Sequence, residues 1–252
     1  MNILLTNDDG VSAKGIQSLR HRLTKEGHRV YVAAPDTGYS CKSQAISVSV
    51  PLRVEKYEKD CNTCFGVKGY PADCIFVAIL DLFKDIKFDL IISGINNGAN
   101  LGFDINYSGT LGAAREGLSY GIPCIAVSYF THNTEADFTV ACEYTMIVIH
   151  KLFSNGIKTD CVYSLNIPYK HKNEIKGICI CPMSDFKYFN GIKKYTDPFG
   201  KDFYFISGEY DFKQEKDKDA VLLFENYVTL TPLKIDYTDY CELKRLKDIF
   251  SK

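Results

Sequence analysis

The first apolar run of the chain, Ile3-Leu4-Leu5, leads into Thr6-Asn7-Asp8-Asp9-Gly10. Two adjacent carboxylates repel each other unless a positive charge stands between them. Asp-Gly is also a strong turn signal, so the pair reads either as a turn or as part of a cation site. Two more polar, glycine-bearing segments follow apolar runs: Pro35-Asp36-Thr37-Gly38-Tyr39-Ser40 and Ser93-Gly94-Ile95-Asn96-Asn97-Gly98-Ala99-Asn100. Their contents are carboxylates, hydroxyls and side-chain amides, without histidine. That donor set suits a hard divalent cation such as Mg²⁺ or Mn²⁺ better than zinc, which prefers nitrogen and sulfur. Mg²⁺ takes one or two carboxylates and keeps several waters, which leaves room for a phosphate oxygen and a nucleophilic water.

A fourth segment adds anion chemistry. Tyr107-Ser108-Gly109-Thr110 runs directly into Leu111-Gly112-Ala113-Ala114-Arg115-Glu116-Gly117. Ser-Gly-Thr before a small-residue helix offers hydroxyls and backbone N–H groups at a helix N-terminus, a ready phosphate site. Taken alone the motif reads first as an ordinary Ser/Thr cap, because such caps are common. A fold that gathers it with the acidic segment would favour the phosphate reading.

The elements needed to gather them are legible. Residues 2–6 read as a buried strand, 14–26 as a helix with Ile16, Leu19 and Leu23 on its apolar face, and Val30 to Ala34 as a second strand. A helix over 72–84 opened by Pro71, a strand over 88–92, a helix over 109–119, a strand over 123–128 and a helix over 136–152 continue the alternation. Apolar strands alternating with helices predict a doubly wound, mostly parallel sheet covered on both faces, whose ligands bind at the carboxyl ends of the strands. From about residue 160 the pattern changes to short strands at 161–167, 178–181, 203–207 and 227–231, aromatic and Lys-rich loops, and a last helix at 238–250. The whole is read as one α/β domain, with a core of about 1–152 and a β-rich extension of about 160–252. The mixed charge run Gln214 to Asp219 reads as a solvated loop.

Composition narrows the function. The 252 residues are 46% hydrophobic and 24% charged, with a formal net charge of -1. A near-neutral chain has no global field to draw it to duplex nucleic acid or to an anionic membrane, so an anionic substrate must be held locally. No apolar run reaches the roughly 18 residues that span a bilayer. With no recognisable export signal, the expected location is the cytoplasm. The 10 cysteines are scattered and read as reduced thiols; Cys61-Asn62-Thr63-Cys64 lacks the second ligand pair of a zinc site, and Cys179-Ile180-Cys181 follows strand alternation. His21, His28, His132, His150 and His171 include no pair at metal-ligand spacing and read as surface or helix positions. Neither a G-x-S-x-G elbow nor a P-loop occurs.

Taken in order, ILLTNDDG, APDTGYSCKSQAIS, GYPADC, SGINNGANLG, YSGTLGAAREG and TPLKIDYT resemble the SurE family of metal-dependent nucleotidases. The match extends from residue 3 to about residue 238. The resemblance implies a Rossmann-like α/β fold and hydrolysis of nucleoside 5′-monophosphates, with 3′-monophosphates and short polyphosphate as further substrates. By motif position it implies one divalent cation per subunit, Mg²⁺ or Mn²⁺, on Asp8, Asp9, Ser40 and Asn96, and phosphate contacts at Asn100, Ser108, Gly109 and Thr110. It also implies a homodimer or homotetramer that exchanges C-terminal segments. The chain departs from the family pattern at Cys41, where a small residue is common, at Tyr39, where a basic residue is common, and at Tyr70, where a small polar residue is common.

In the chemistry this implies, the cation polarises the phosphoryl group and orients water, while Asp8 or Asp9 takes the water's proton. A covalent aspartyl-phosphate mechanism fits less well, because it wants Asp-x-Asp and the residue two beyond Asp8 is Gly10. The alternative from another class is a non-catalytic, metal-dependent nucleotide-binding module that keeps the acidic loop without turnover.

Overall fold

The first strand, β1 (Asn2–Thr6), sends Ile3 and Leu5 to one face and Leu4 to the other, and all three are fully buried. A strand buried on both faces needs helices on both. The computed structural model, which describes residues 1–58, 62–185, 187–188, 190–209 and 216–251, has that arrangement. From β1 the chain runs through α1 (Lys14–Lys25), β2 (Arg29–Pro35), β3 (Val54–Lys56), β4 (Cys64–Val67), α2 (Pro71–Val77), β5 (Leu90–Asn97), α3 (Gly109–Ser119), β6 (Cys124–Phe130), α4 (Thr139–Ser154) and β7 (Val162–Pro168). It continues through β8 (Ile178–Ile180), β9 (Gly191–Thr196), β10 (Asp202–Ser207), α5 (Asp219–Phe224), β11 (Val228–Leu233) and α6 (Tyr240–Phe250).

Among the described residues, nine strands form one sheet in the order β3-β4-β2-β1-β5-β6-β7-β11-β8. The run from β4 to β7 is parallel throughout. β3 closes one edge antiparallel to β4, and β11 joins antiparallel to β7 with β8 parallel beside it. β9 and β10 pair separately as an antiparallel hairpin. The fold is therefore the expected α/β, Rossmann-like, mostly parallel arrangement, with extra strands from the second half of the chain. α1 and α4 cover the face that carries Ile3, Leu5, Ile92 and Val127, while α2 and α3 cover the face that carries Leu4, Ala33, Ile91 and Ala126. Among the described residues no helix is long and apolar enough to cross a membrane.

Several local readings change. Ser93 to Asn97, expected as loop, lies in β5: pairing with β6 shifts between Ser93 and Asn96, then resumes as Asn96 with Ser128 and Asn97 with Tyr129. Gly94 permits the detour, since its φ is +137° and a Cβ there would lie 2.3 Å from the Val127 carbonyl oxygen. The helix expected over 72–84 is α-helical only to Val77 and continues as a π-helical turn, Ala78–Leu82. β3, β4, β9 and α5 are additional elements. β3 is exposed throughout and β9 almost so, so neither carries the apolar alternation that marks a half-buried strand.

Of the Cys61/Cys64 pair, Cys61 lies outside the described residues and Cys64 is buried on β4. In the charge run, Gln214 and Glu215 also lie outside them, but Asp219 is 2% exposed, not solvated. Its carboxylate accepts hydrogen bonds from the backbone N–H groups of Gly102 at 3.0 Å, Ser184 at 2.8 Å and Ala220 at 2.7 Å.

Candidate active site

The chain passes from β1 outward to β2 and β4, then returns to lay β5 on the other side of β1. This reversal opens a crevice at the carboxyl ends of the strands, where ligands bind in open α/β sheets. A cavity of about 310 Å³ lies there. Asp8, Asp9, Ser40, Asn96, Asn100 and Ser108 all line it, so residues from four separate segments meet at one place.

The turn after β1 is tied by its own side chain. Asn7 Nδ2 donates to the Gly10 carbonyl oxygen at 2.9 Å, and the Gly10 N–H donates to Asn7 Oδ1 at 3.2 Å. Gly10 has φ +103°, a conformation that few L side chains tolerate. The turn reading of this segment therefore holds, and the turn presents Asp8 and Asp9 side by side.

Asp8 is 7% exposed, and burial, followed by the charge of Asp9, pushes its carboxyl up to about 7. The Thr110 hydroxyl opposes the shift by donating to Asp8 Oδ1 at 2.5 Å. Burial also raises Asp9, against a 2.8 Å hydrogen bond that Asp9 Oδ2 accepts from the Asn97 N–H. Among the described residues neither carboxylate forms an ion pair. Nearby, the buried Asn97 Oδ1 has no hydrogen-bond partner among the described residues. Crowded carboxylates beside an orphaned amide oxygen fit a bound cation better than an apolar or anionic ligand. Asn96 Nδ2 donates to the Gly98 carbonyl oxygen at 2.8 Å, which fixes the amide and leaves Oδ1 as its available donor to a metal. No three His, Cys, Asp or Glu side chains gather as a metal cluster among the described residues. A cation held here would rest on two carboxylates completed by hydroxyl and amide oxygens and water.

The remaining predicted residues divide by what they touch. Asn100 is locked to the neighbouring strands: its N–H donates to Asn166 Oδ1 at 2.8 Å and its Nδ2 to Ser128 Oγ at 2.8 Å. Ser108 caps α3, its Oγ accepting from the Leu111 N–H at 3.1 Å. Gly109 packs on Asp8, where a Cβ would come within 2.9 Å of Asp8 Cβ. Gly109 and Thr110 lie behind the acidic pair and do not form the cavity wall.

The loop that brings Ser40 is pinned to α3 and α2. Tyr39 N–H donates to the Asp8 carbonyl oxygen at 2.7 Å and Ser43 N–H to that of Tyr107 at 2.9 Å. Further along, Gln44 Nε2 donates to Glu116 Oε2 at 2.7 Å and Ser47 Oγ to Asp73 Oδ2 at 2.7 Å. Tyr39 and Tyr70 meet each other edge to face, with centroids 5.3 Å apart. The wall also contains residues not singled out as site residues in the sequence, including Asn97, Asp104, Tyr107, His132 and Tyr188. Adjacency to Asn96 and Ser108 was the available signal for Asn97 and Tyr107. Nothing local in the sequence marks His132 or Tyr188.

Fold and crevice together define an α/β protein with an acidic, oxygen-lined site at the switch point of a doubly wound sheet, flanked by a capped helix N-terminus. Residues 3–190 match the family described as Survival protein SurE, and the chain belongs to that family. It is 39% identical over 251 residues to a protein of Heliobacterium modesticaldum named 5′-nucleotidase SurE, covering 98% of this chain and 91% of that one. It is 37% identical to the 5′-nucleotidase SurE of Desulfitobacterium hafniense, covering 100% and 98%. The crystal structure of SurE protein from Aquifex aeolicus superposes with a TM-score of 0.87 at 36% identity, covering 99% of this chain and 100% of that one.

Proposed function

We propose that the chain is a divalent-cation-dependent phosphomonoesterase that hydrolyses nucleoside 5′-monophosphates to nucleoside and phosphate, with 3′-monophosphates and short polyphosphate as further substrates. The observation that carries this reading is the pair of buried Asp8 and half-buried Asp9, destabilised as anions and without an ion pair among the described residues, in a cavity that also receives Ser108 from the start of α3. The names of the full-length relatives support it.

Asp8, Asp9, Ser40 and Asn96 would hold one Mg²⁺ or Mn²⁺. When bound, that ion supplies charge to offset the negative phosphoryl oxygens and lowers the pKa of a coordinated water. The protein's own groups do the rest. Asn100 and Ser108, the latter at the start of α3, hold the phosphate, where the helix dipole favours negative charge, while Gly109 and Thr110 stand behind and support Asp8. Asp8 or Asp9 accepts a proton from the water as it adds to phosphorus, and the ester oxygen departs with the nucleoside, taking a proton from solvent.

Inorganic phosphate release from AMP is the direct assay, run with Mg²⁺ or Mn²⁺ and again after EDTA. Release that requires the cation, and is lost in Asp8→Asn, supports the reading; release indifferent to chelation overturns it.

The same family relationship suggests a homodimer or homotetramer built through the C-terminal part. Its surface supports this: α6 buries none of its residues, and Tyr240, Leu243, Leu246, Ile249 and Phe250 form an exposed apolar stripe. Light scattering on the intact chain and on Leu246→Glu/Phe250→Glu tests it, with a smaller assembly expected for the variant.

A further inference from the structure

A second cavity, of about 350 Å³, lies on the side of the sheet covered by α1 and α4, between the start of α4 and the segment that follows β7. Its floor is Tyr129 of β6, whose backbone pairs with Asn97 of β5 and whose carbonyl oxygen accepts from the Gly98 N–H at 2.9 Å. Asn97 and Gly98 line the acidic crevice, so the two cavities meet the sheet at the same strand ends but share no wall residue. The segment after β7 is held in place. Lys172 opens a short 3₁₀ turn, Lys172–Glu174, and its ammonium pairs with Glu143 of α4 at 2.7 Å.

Tyr129 is 2% exposed, yet its hydroxyl makes no hydrogen bond among the described residues. A buried hydroxyl ordinarily finds a partner, because folding has stripped it of water. Burial, followed by Tyr169 and Asp137, pushes the phenol up to about 12, so the group stays a neutral O–H that can donate or accept. The Tyr169 ring stands edge to face with Tyr129, centroids 5.3 Å apart, and Val140 adds aliphatic wall. Two carboxylates also line the cavity. Asp137 Oδ1 accepts from the Thr139 N–H at 2.9 Å and hydroxyl at 2.6 Å, and Glu174 Oε2 accepts from the His171 N–H at 3.0 Å. Each keeps a second oxygen uncommitted among the described residues. Lys170 and His171 complete the wall; both are exposed, and among the described residues Lys170 pairs with neither carboxylate.

These groups select by charge and shape. Electron-rich ring faces and two carboxylates, against the single fixed cation of Lys170, favour a positive guest over an anion. A purely apolar guest would leave the Tyr129 hydroxyl unpaired, and a bare divalent metal ion wants more oxygen ligands than two carboxylates and a neutral phenol. An organic ammonium ion has both an apolar body and N–H donors, and a volume near 350 Å³ lies at the small end of ligand pockets. We propose that this cavity binds a small primary ammonium ion on an apolar body, its N–H groups donating to the Tyr129 hydroxyl and the Asp137 carboxylate and its body lying against Tyr169 and Val140. The site is separate from the phosphate chemistry and stands whether or not the chain hydrolyses nucleotides.

Calorimetric titration tests it with phenethylamine and its neutral and anionic counterparts, phenylethanol and phenylacetate. The intact chain should bind the amine about tenfold or more tightly than either counterpart. Tyr129→Phe removes only an unpaired hydroxyl, which leaves the fold undisturbed, and should weaken amine binding about tenfold, the loss of one hydrogen bond to a charged group. Val140→Trp fills the cavity from α4 and should abolish binding. Asp8→Asn/Asp9→Asn removes the charge of the acidic crevice and should leave amine affinity unchanged. No binding by the intact chain, equal binding of the three probes, or unchanged affinity in Tyr129→Phe or in Val140→Trp overturns the proposal. So does binding lost in Asp8→Asn/Asp9→Asn, which places the amine in the acidic crevice instead.

Discussion

The Thr110 hydroxyl donates to Asp8 Oδ1 at 2.5 Å, deep behind the cavity wall. Family resemblance places Thr110 at the phosphate, but its side chain is fully buried and faces the carboxylate. Its hydroxyl therefore acts through Asp8, by holding one oxygen and favouring the ionised form against burial. Thr110→Val keeps the shape and removes the donor. A lost hydrogen bond to a charged group is worth about 1.5–3 kcal/mol, so Mn²⁺ affinity should fall roughly 10- to 100-fold. Titration of free Mn²⁺ by electron paramagnetic resonance measures this, and Thr110→Ser should restore binding. Unchanged affinity in Thr110→Val would show that the hydroxyl is incidental.

The raised carboxyl of Asp8 also sets a pH dependence. The unfolded chain ionises this group near 3.8 and the metal-free folded protein near 7, so between those values the folded state binds more protons than the unfolded one. The contribution of Asp8 to stability is thus fully present below about 4 and is lost as pH rises toward 7. A divalent cation reverses the trend by stabilising the ionised pair. Thermal unfolding with EDTA and with Mn²⁺ at pH 5.5 and pH 8 should show the larger cation-induced rise in Tm at pH 8. An equal rise at both values would mean that Asp8 is not titrating in this window.

Tyr39 and Tyr70 touch each other, linking the Ser40 loop to the start of α2. An edge-to-face contact contributes about 0.5–1.5 kcal/mol beyond area burial. A double-mutant cycle with Tyr39→Leu and Tyr70→Leu, followed by urea denaturation, should return a coupling of that size. Strictly additive losses would mean that the rings meet without stabilising the loop.

Much of the architecture was legible because β1, β2, β5 and β6 are buried on both faces and spell continuous apolar runs, with Pro71 and Ser108 marking helix starts. The gathering of Asp8, Asp9, Ser40, Asn96, Asn100 and Ser108 followed from one rule about strand ends, which needs only strand order and direction. The misses share a cause. β3 and β9 carry little buried surface and hence little periodicity, while Ser93 to Asn97 looks like loop because a polar strand end at a site has loop composition. Residues such as His132 and Tyr188 reach the cavity from segments distant in sequence, and only the tertiary path places them there.

Asp219 is the sharpest case. It sat at the end of a mixed charge run and reads as solvated, yet it is buried and gathers three backbone N–H groups. One of them belongs to Gly102, next to the cavity residue Leu101, and another to Ser184 in the segment leading to Tyr188. A carboxylate with two acceptor oxygens satisfies all three donors, whereas an amide has one oxygen and would turn an N–H₂ group toward the others. Asp219→Asn should therefore destabilise the fold by about 1.5–3 kcal/mol, visible as a lower urea midpoint with an unchanged slope. Because the same carboxylate anchors two stretches of the cavity wall, KM for the nucleotide should rise in this variant while Mn²⁺ affinity stays near that of the intact protein. A variant as stable as the intact protein, with the same KM, would show that these three donors find other partners and that the wall holds itself.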